Sequence, residues 1–288
     1  MFISGCLPPS SRVGDGRIPR RAGGFLLLAG LACLAAQPAL AEESKLRVLI
    51  LSGANNHNWR ETTPAIKAAL EETGCFSVDV EEKVASLKPQ AFEPYAVILS
   101  DFNTFGQDAS VQVWDAAMKK AFIEHLQKGH GLVIVHAGSS GFYDWPEFQK
   151  LACGSWGAAT SHGPIHVDRI HFTDVKSPIT AGLEPFWIRD EFWKDVGVAP
   201  GVKALAYVPS LTTTDKDLPK TANILFTTEV AGARGFAIFL GHDATAMKNT
   251  AWRTLLQRGT EWAATNKVTL PPAKDWPATQ ADAERMAK

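Results

Sequence analysis

Short apolar runs separated by amphipathic segments dominate the chain from residue 46 onward. Residues 46–52 (LRVLILS) are almost continuously apolar, which is typical of a strand covered on both faces. Three later runs share this pattern: residues 95–100, 131–136 and 235–240. Shorter runs predict four further strands: residues 76–80, 165–172, 203–208 and 223–228.

Apolar positions at helical spacing fill several of the intervals between these strands. One helix is predicted with Thr62 or Thr63 as its cap, Pro64 as its first residue and Gly74 at its end. Two more helices are predicted: residues 111–127 and 252–263. The alternation of strands and helices predicts an α/β fold, in which a mostly parallel, doubly wound sheet carries helices on both faces.

The first 41 residues resemble a secretory signal peptide. Arg17, Arg20 and Arg21 precede an apolar run, residues 25–36, that is too short to span a membrane comfortably. The segment ends in Ala-Leu-Ala, a small-x-small cleavage signature. We therefore predict a periplasmic or secreted protein. The Sec route is favoured, because Ala-Gly-Gly follows the arginine pair where a twin-arginine signal usually has a bulky residue, but twin-arginine export stays open.

Composition narrows the partners of the mature chain. The whole chain carries 29 basic and 30 acidic residues. Without the leader's four Arg and one Asp, 25 basic and 29 acidic residues remain, a net charge of −4. There is no basic stripe, which argues against nucleic acid, and no second long apolar run that would insert stably into a membrane. A homo-oligomer stays open. Cys75 and Cys153 either form one bridge or remain free thiols.

Three histidines follow predicted strands, where open parallel sheets bind their ligands. His57 lies in the loop after residues 46–52, His136 ends the run 131–136, and His242 follows the run 235–240. Imidazole suits both proton transfer near neutral pH and zinc ligation. His162 lies in a Gly-rich loop and is a fourth candidate metal ligand. The remaining histidines are interpreted as structural: His125, His130, His166 and His171.

Acidic, basic and aromatic residues add further candidates. Asp190 and Glu191 lie in the apolar segment IRDEFW, which favours acid–base catalysis, although a solvated turn is the alternative. Arg234 precedes the last buried strand and either clamps a ligand or lies on a surface hairpin. Tryptophans in or near loops suit stacking against sugar rings: Trp59, Trp145 and Trp193.

Four segments together resemble the ThuA-like (trehalose utilisation) family, in the family's order and over about residues 45–267. They begin with VLILSGANNHNWRETTPAIKAALEETGCFSVDV and KGHGLVIVHAGSSGFYDWPEF. They end with HGPIHVDRIHFTDVKSPITAGLEPFWIRDEFW and RGFAIFLGHDATAMKNTAWRTLLQRGTEWAA. The resemblance implies a ThuA-like domain over residues 42–267 with a flavodoxin-like, class I glutamine amidotransferase-like fold. Residues 268–288 are expected to form a poorly packed extension.

The resemblance also bears on activity. His242 matches the late catalytic histidine of the amidotransferases, but His136 stands at the elbow where they carry cysteine, so glutaminase activity is not expected. The family implies a carbohydrate-related role for six residues: His57, His136, His162, Asp190, Glu191 and His242. It also implies a divalent metal, zinc, held by histidines.

The leading hypothesis is an exported enzyme that acts on a sugar or 3-keto-glycoside by histidine acid–base chemistry. One histidine would act as the base, while another, or a metal held by His57, His136 and His242, would polarise the carbonyl. A non-catalytic sugar-binding module is the first alternative. A hydrolase of another small substrate on the same scaffold is the second.

Overall fold

A computed structural model describes residues 45–106, 112–209 and 222–288, so the predicted leader lies outside the described residues. Strands are numbered in chain order: β1 Leu46–Leu51, β2 Phe76–Glu81, β3 Val97–Ser100, β4 Gly131–Val135, β5 Gly154–Ser155, β6 Ser161–His162, β7 His166–Phe172, β8 Phe186–Asp190, β9 Trp193–Lys194, β10 Gly197–Val198, β11 Lys203–Val208, β12 Ala222–Val230 and β13 Ala233–Ile238. The helices are α1 Trp59–Glu71, α2 Ala116–Gln127, α3 Pro146–Leu151, α4 Thr250–Thr265 and α5 Gln280–Met286.

The described strands form one large sheet and two small ones. The large sheet has nine strands in the order β2-β1-β3-β4-β13-β12-β11-β7-β8. The first five of these are mutually parallel, and the remaining four continue the sheet in antiparallel pairs. All strands of the parallel part therefore end at the same edge, called here the carboxyl edge; the opposite edge is called the amino edge.

Helices cover both faces of this sheet, which confirms the predicted α/β class. On one face α1 and α4 pack against residues such as Val48 and Phe236. On the other face α2 and α3 pack against residues such as Leu49 and Ile134. The central strands β3 and β4 are buried along their whole length, which explains why their sequences are continuously apolar. None of the described helices has both the length and the apolar character required to cross a membrane.

Helix α1 differs from the prediction at its start. It begins at Trp59, after Asn58, so that Pro64 lies inside the helix rather than at its first position. Thr62 and Thr63 are buried within it and do not cap it. Elsewhere the caps follow the chemistry of short polar side chains: Asn249, for example, accepts the N–H groups of the first turn of α4.

The C-terminal segment is packed onto the sheet, which corrects the expectation of a loose extension. The Glu261 carboxylate accepts the backbone N–H groups of Thr269 and Leu270. The Trp187 N–H on the edge strand β8 donates to Pro277 at 2.9 Å, and α5 contacts the same strand. Residues Lys45–Lys288 accordingly form one compact unit.

Candidate functional site

Three histidines and one glutamate meet at the carboxyl edge. His57 follows β1, His136 follows β4, and His242 lies shortly after β13. The ring centroid of His57 lies 4.9 Å from that of His136 and 4.6 Å from that of His242. Glu191 follows β8 and completes the group, in which one ligand atom from each residue lies within 4.8 Å of the others. These four residues are called the four-residue cluster below.

His136 occupies a sharp turn between β4 and a short 3₁₀ helix. Its φ of 42° lies in the left-handed region, which is uncommon for a residue other than glycine. The turn is tight because Gly138 lies against β3, where a Cβ would come within 2.0 Å of the Ser100 carbonyl oxygen. Nδ1 of His136 donates to the Phe239 carbonyl at 3.1 Å, which leaves a lone pair on Nε2. Such strained positions concentrate at functional sites.

Three asparagines set the tautomer of His57. The Asn103 side-chain amide donates to Oδ1 of Asn55 at 2.7 Å and of Asn56 at 2.8 Å, so both oxygens act as acceptors. Nδ1 of His57 lies 3.1 Å from each of these oxygens and therefore carries the proton, leaving Nε2 free. Burial, followed by the two neighbouring imidazoles, lowers the pKa of His57 to about 3. The ring is thus neutral, as a metal ligand must be.

A buried carboxyl group supports this asparagine network. Asp101 accepts hydrogen bonds from Thr62 at 2.9 Å and Thr63 at 2.6 Å, and its main-chain carbonyl accepts one from Asn55 at 2.9 Å. Burial raises the pKa of Asp101 to about 7, while the two threonine hydroxyls act in the opposite direction. The two threonines therefore tie α1 to the end of β3 instead of capping the helix.

Glu191 lies close to three imidazoles of the site, those of His136, His162 and His242. Its Oε1 accepts the indole N–H of Trp193 at 2.7 Å and lies 3.5 Å from His136 Nε2. Its Oε2 lies 2.9 Å from His162 Nδ1 and 3.5 Å from His242 Nδ1. Burial opposes ionisation of Glu191, but the neighbouring His136 and His242 outweigh it, so its pKa lies well below the usual range. The same contact raises the pKa of His242.

Asp190 lies behind the four-residue cluster and does not line the cavity. Its Oδ2 accepts the Gly241 N–H at 2.6 Å, and its Oδ1 accepts those of His242 at 3.0 Å and Glu191 at 2.9 Å. Burial raises the pKa of Asp190, which His136 and the three backbone N–H groups oppose. The prediction that Asp190 is catalytic is therefore corrected: its carboxylate positions the backbone that carries His242 and Glu191.

The four-residue cluster fits a metal ion. His136 Nε2 and His242 Nδ1 are fully buried, yet neither makes a hydrogen bond in the described parts of the chain, and the Glu191 carboxylate lies 3.5 Å from each. Orphaned buried atoms of this kind are rare in folded proteins. Imidazole nitrogens and a carboxylate oxygen are the donors that zinc and similar transition metals prefer. A divalent cation would satisfy both nitrogens and share the charge of Glu191.

His162 lies beside the four-residue cluster rather than within it. Its side chain is 44 % exposed, and its Nδ1 contacts both Glu191 and the Gly163 carbonyl oxygen, the latter at 2.8 Å. A carbonyl oxygen only accepts, so Nδ1 carries the proton and Nε2 is left free. The position of His162 therefore differs from that expected of a fourth histidine ligand.

A cavity of about 500 Å³ opens onto the site, within the range typical of small-molecule pockets. The cavity is lined by His57, His162, Glu191 and His242 from the site itself. Its other lining residues are Asn56, Asn58, Glu61, Thr62, Phe105, Ala137, Ser140, Trp156, Trp193, Asp243 and Ala244.

Two of the three predicted stacking tryptophans lie elsewhere. Trp145 is only 4 % exposed and packs in the core between α2 and α3, against Phe122 and Phe148. Trp59 lies under the Arg60 guanidinium, 4.2 Å away, and does not line the cavity. Trp193 does line the cavity, and its indole N–H also holds Glu191. The prediction for Trp145 is corrected, since an indole buried in the core cannot meet a substrate.

Arg234 lies at the amino edge, and its predicted role in ligand binding is also corrected. Its guanidinium donates to three carbonyl oxygens, those of Gly129, Ala263 and Ala264. It is the second residue of β13 and pairs with Gly131 at the start of β4, so the length of a strand separates it from the cavity. Arg234 thus joins α4 to the sheet.

Both cysteines that the structure describes are free thiols. Cys75 and Cys153 are unpaired, which decides between the two alternatives left by the sequence. Cys153 is fully buried, and burial raises the pKa of its thiol. A buried thiol of this kind is a poor nucleophile, and the elbow itself carries His136.

Phe105 and Asn103 were missed from the sequence. Both follow β3 at the same edge as the histidines. The prediction considered histidines and acids at strand ends but passed over amides and a phenylalanine there. A survey of every loop that follows a buried strand would have included Phe105 and Asn103.

Comparisons with known proteins agree with this architecture. A family model described as trehalose utilisation, ThuA, matches residues 47–263. A ThuA-like protein from Parabacteroides merdae is similar in structure, with 28 % identity, a TM-score of 0.68, and coverage of 82 % of this chain and 95 % of that one. Comparison with curated proteins finds no match.

Two more distant structures share the fold alone. A ThuA-like protein from Bacteroides uniformis has 18 % identity and a TM-score of 0.57, covering 81 % of this chain and 97 % of its own. A cytoplasmic protein from Salmonella typhimurium has 12 % identity and a TM-score of 0.52, covering 75 % and 98 %.

Proposed function

The chain belongs to the ThuA family, described as trehalose utilisation, and from this premise we propose that it is a metal-dependent enzyme of carbohydrate breakdown. One observation carries the proposal: four ligand atoms lie within 4.8 Å of one another at the carboxyl edge, and two of the nitrogens are buried with no hydrogen bond to any described residue, the Glu191 carboxylate lying 3.5 Å from each. A structural role alone does not account for such nitrogens, because burying an unpaired polar atom destabilises the fold.

The site residues divide into those that would bind a metal ion and one that would transfer a proton. His57, His136, Glu191 and His242 would hold a divalent ion, zinc by preference, in this chain. When bound, such an ion supplies Lewis-acid polarisation of a substrate carbonyl. Asp190 and Asn103 act behind these residues, one by fixing the backbone of two of them and the other by fixing the tautomer of His57.

His162 is the proposed proton-transfer residue. No described residue hydrogen-bonds its Nε2, so the lone pair is available, and the side chain lines the cavity. In a 3-keto-glycoside, the carbon between the ketone and the glycosidic carbon carries an acidic hydrogen. His162 Nε2 would accept that proton, the glycosidic C–O bond would break, and the departing alcohol oxygen would take up a proton. The other product is an unsaturated ketone.

The same proposal places the enzyme outside the cytoplasm. Its basis is the leader signature in residues 1–41, with Arg20 and Arg21 before the apolar run and Ala39-Leu40-Ala41 at its end. N-terminal sequencing of protein recovered from the periplasmic fraction should find a chain that begins at Glu42. An intact N-terminus in that fraction would contradict cleavage.

The test combines metal analysis with a substrate screen. Purified protein should contain about one zinc ion per chain, and it should cleave at least one member of a panel of 3-keto-disaccharides. Chelation should abolish turnover, and added zinc should restore it. The variants His136→Ala and His242→Ala should lose both metal and turnover, because each removes a ligand.

A matched control separates ligand loss from loss of any imidazole. His171→Ala removes a histidine from β7, where the ring stacks on Tyr207 with centroids 5.7 Å apart, and should retain metal and turnover. Equal turnover by metal-free and zinc-loaded protein would contradict the metal's role. Sugar binding without turnover of any 3-keto-glycoside would instead indicate a binding module.

A further inference from the structure

Phe105 is an aromatic side chain left open at the cavity. Its side chain is 45 % exposed, and it is the only Phe, Trp or Tyr in the exposed class among residues 45–106, 112–209 and 222–288. It lines the same cavity as the four-residue cluster. An apolar ring exposed at a small-molecule cavity indicates a surface that a ligand covers.

Trp156 connects Phe105 to the cluster through edge-to-face contacts. Its ring centroid lies 6.2 Å from that of Phe105 and 5.1 Å from that of Trp193. Trp193 in turn lies 4.4 Å from the ring of His136 and donates its N–H to Glu191. The three aromatic residues therefore form one continuous wall, which runs from the buried ligands to the exposed mouth.

Backbone contacts hold the two outer rings in place. The Phe105 N–H donates to Oδ1 of Asn103, the residue that also fixes the tautomer of His57. The loop of Trp156 is closed by Thr160, whose hydroxyl accepts the Gly157 N–H and donates to the Asp195 carbonyl, each at 2.9 Å. A pre-positioned aromatic surface loses little conformational entropy when a flat ligand binds it.

The charges of the cavity select the kind of ring that can bind. Three carboxylates line it, those of Glu61, Glu191 and Asp243, and in the described ranges no Lys or Arg does. Asp243 already pairs with Arg189, which lies 3.6 Å away outside the lining, whereas Glu61 on α1 makes no ion pair with any described residue. Apart from its imidazoles, the described lining therefore offers no cationic side chain that could pair with a negative charge on a ligand.

We propose that Phe105 and Trp156 form a stacking subsite for one apolar face of an uncharged pyranose ring, whose hydroxyl groups donate to Glu61. The subsite rests on the proposed function, because it places the sugar beside the four-residue cluster. It also adds a restriction: the substrate is a neutral glycoside, and sugars that carry a carboxylate or phosphate are excluded.

The test measures sugar binding and metal content separately. Zinc-loaded protein is titrated with neutral sugars (trehalose and the methyl glucosides, galactosides and mannosides) and with two anionic sugars (glucuronic acid and glucose 6-phosphate). Calorimetry and tryptophan fluorescence measure the binding. At least one neutral sugar should bind, and both anionic sugars should bind at least about tenfold more weakly. Phe105→Ala and Trp156→Ala should each weaken neutral-sugar binding about tenfold, while Trp156→Phe should retain most of it.

Two further variants complete the design. Glu61→Gln removes the unpaired charge, so the ratio of neutral-sugar affinity to anionic-sugar affinity should fall several-fold. Trp59→Ala removes a tryptophan that does not line the cavity and should leave binding unchanged. Melting temperatures of all variants report folding, and their zinc content should equal that of the unmodified protein.

The outcomes separate the subsite from the proposed function. If zinc is bound but no neutral sugar binds, or anionic sugars bind equally well, the subsite is wrong and the metal centre stands. Unchanged neutral-sugar affinity in a Phe105→Ala and Trp156→Ala double variant would also overturn it. If the protein holds no zinc, the proposed function fails, while sugar binding lost by Trp156→Ala would still support the subsite.

Discussion

The two ends of β4 carry histidines in similar surroundings but in different bonding states. At the carboxyl edge, His136 follows the strand and lies among His57, His242 and Glu191. At the amino edge, His130 precedes the strand and contacts His125, with ring centroids 4.1 Å apart. His125 Nε2 lies 3.0 Å from the Tyr95 carbonyl oxygen and 2.8 Å from His130 Nδ1, so these nitrogens are satisfied.

Neither proximity nor a lowered pKa distinguishes the two groups. Burial lowers the pKa of His125 to about 4 at the amino edge, and burial with neighbouring imidazoles lowers that of His57 to about 3 at the carboxyl edge. The difference lies in His136 Nε2 and His242 Nδ1, which are buried and make no hydrogen bond to any described residue. Unsatisfied nitrogens next to a carboxylate therefore favour the proposed metal site, whereas clustering and a lowered pKa do not discriminate between the two groups.

The largest effect is expected when an imidazole pair is removed from each edge in turn. His136→Ala with His242→Ala should lower zinc affinity by more than about 100-fold, the upper end of what outer-shell changes cost. His125→Ala with His130→Ala should leave zinc affinity unchanged, because these nitrogens bind only the backbone and each other. Competition with a chromophoric chelator measures both. Equal loss of zinc from the two double variants would contradict the proposed difference between the two edges.

The sequence located the carboxyl-edge histidines because their positions follow from strand order alone. His57, His136 and His242 each follow a strand of the parallel part, and parallel strands end at one edge. Trp145 and Arg234 were misplaced because a linear pattern does not show which way a loop or strand end faces. The Trp145 loop turns into the α2–α3 core, and Arg234 is near the start of its strand, so it lies at the amino edge.

Long-range pairings were equally hidden from the sequence. The link between Asp101 and the two threonines spans 38 or 39 residues, and it occupies the hydroxyl groups that were expected to cap α1. The contacts of Asp190 with Gly241 and His242 span 51 and 52 residues, so an apparent catalytic acid is a positioning residue. Propensity and spacing report local structure, and neither contact is local.

Each edge has one charged side chain that hydrogen-bonds three backbone groups, and the second prediction compares these two side chains. Asp190 accepts three N–H groups at the carboxyl edge, and Arg234 donates to three carbonyl groups at the amino edge. Asp190→Ala and Arg234→Ala should each destabilise the fold by about 3 kcal/mol in urea unfolding, since both leave buried backbone groups unpaired. Only Asp190→Ala should also weaken zinc binding, because it releases the backbone of His242.

Asn103 gives a third, smaller effect that is confined to the carboxyl edge. Asn103→Ala frees the side chains of Asn55 and Asn56, so His57 is no longer held in the tautomer that exposes Nε2. Zinc affinity should fall about 10- to 100-fold. Asn223→Ala on the exposed side of β12 is the matched control and should change nothing. Unchanged affinity in Asn103→Ala would show that the ring of His57 needs no support from the amide network.

The smallest expected effect is a pair of opposite pH slopes in the stability of metal-free protein. His125 has a folded pKa near 4, below its ordinary value of 6.5, so the fold loses stability as pH falls through this window and the unfolded chain takes up the proton. Asp101 has a folded pKa near 7, above its ordinary 3.8, so the fold loses stability as pH rises from about 4 to 7. The unmodified protein should therefore lose roughly 1–3 kcal/mol of unfolding free energy toward acid pH, and His125→Gln should remove this loss. Asp101→Asn should remove a loss of about the same size that occurs toward neutral pH. Urea unfolding at pH 4, 5.5 and 7 gives both differences, and slopes of the same sign would contradict the contrast between the two edges.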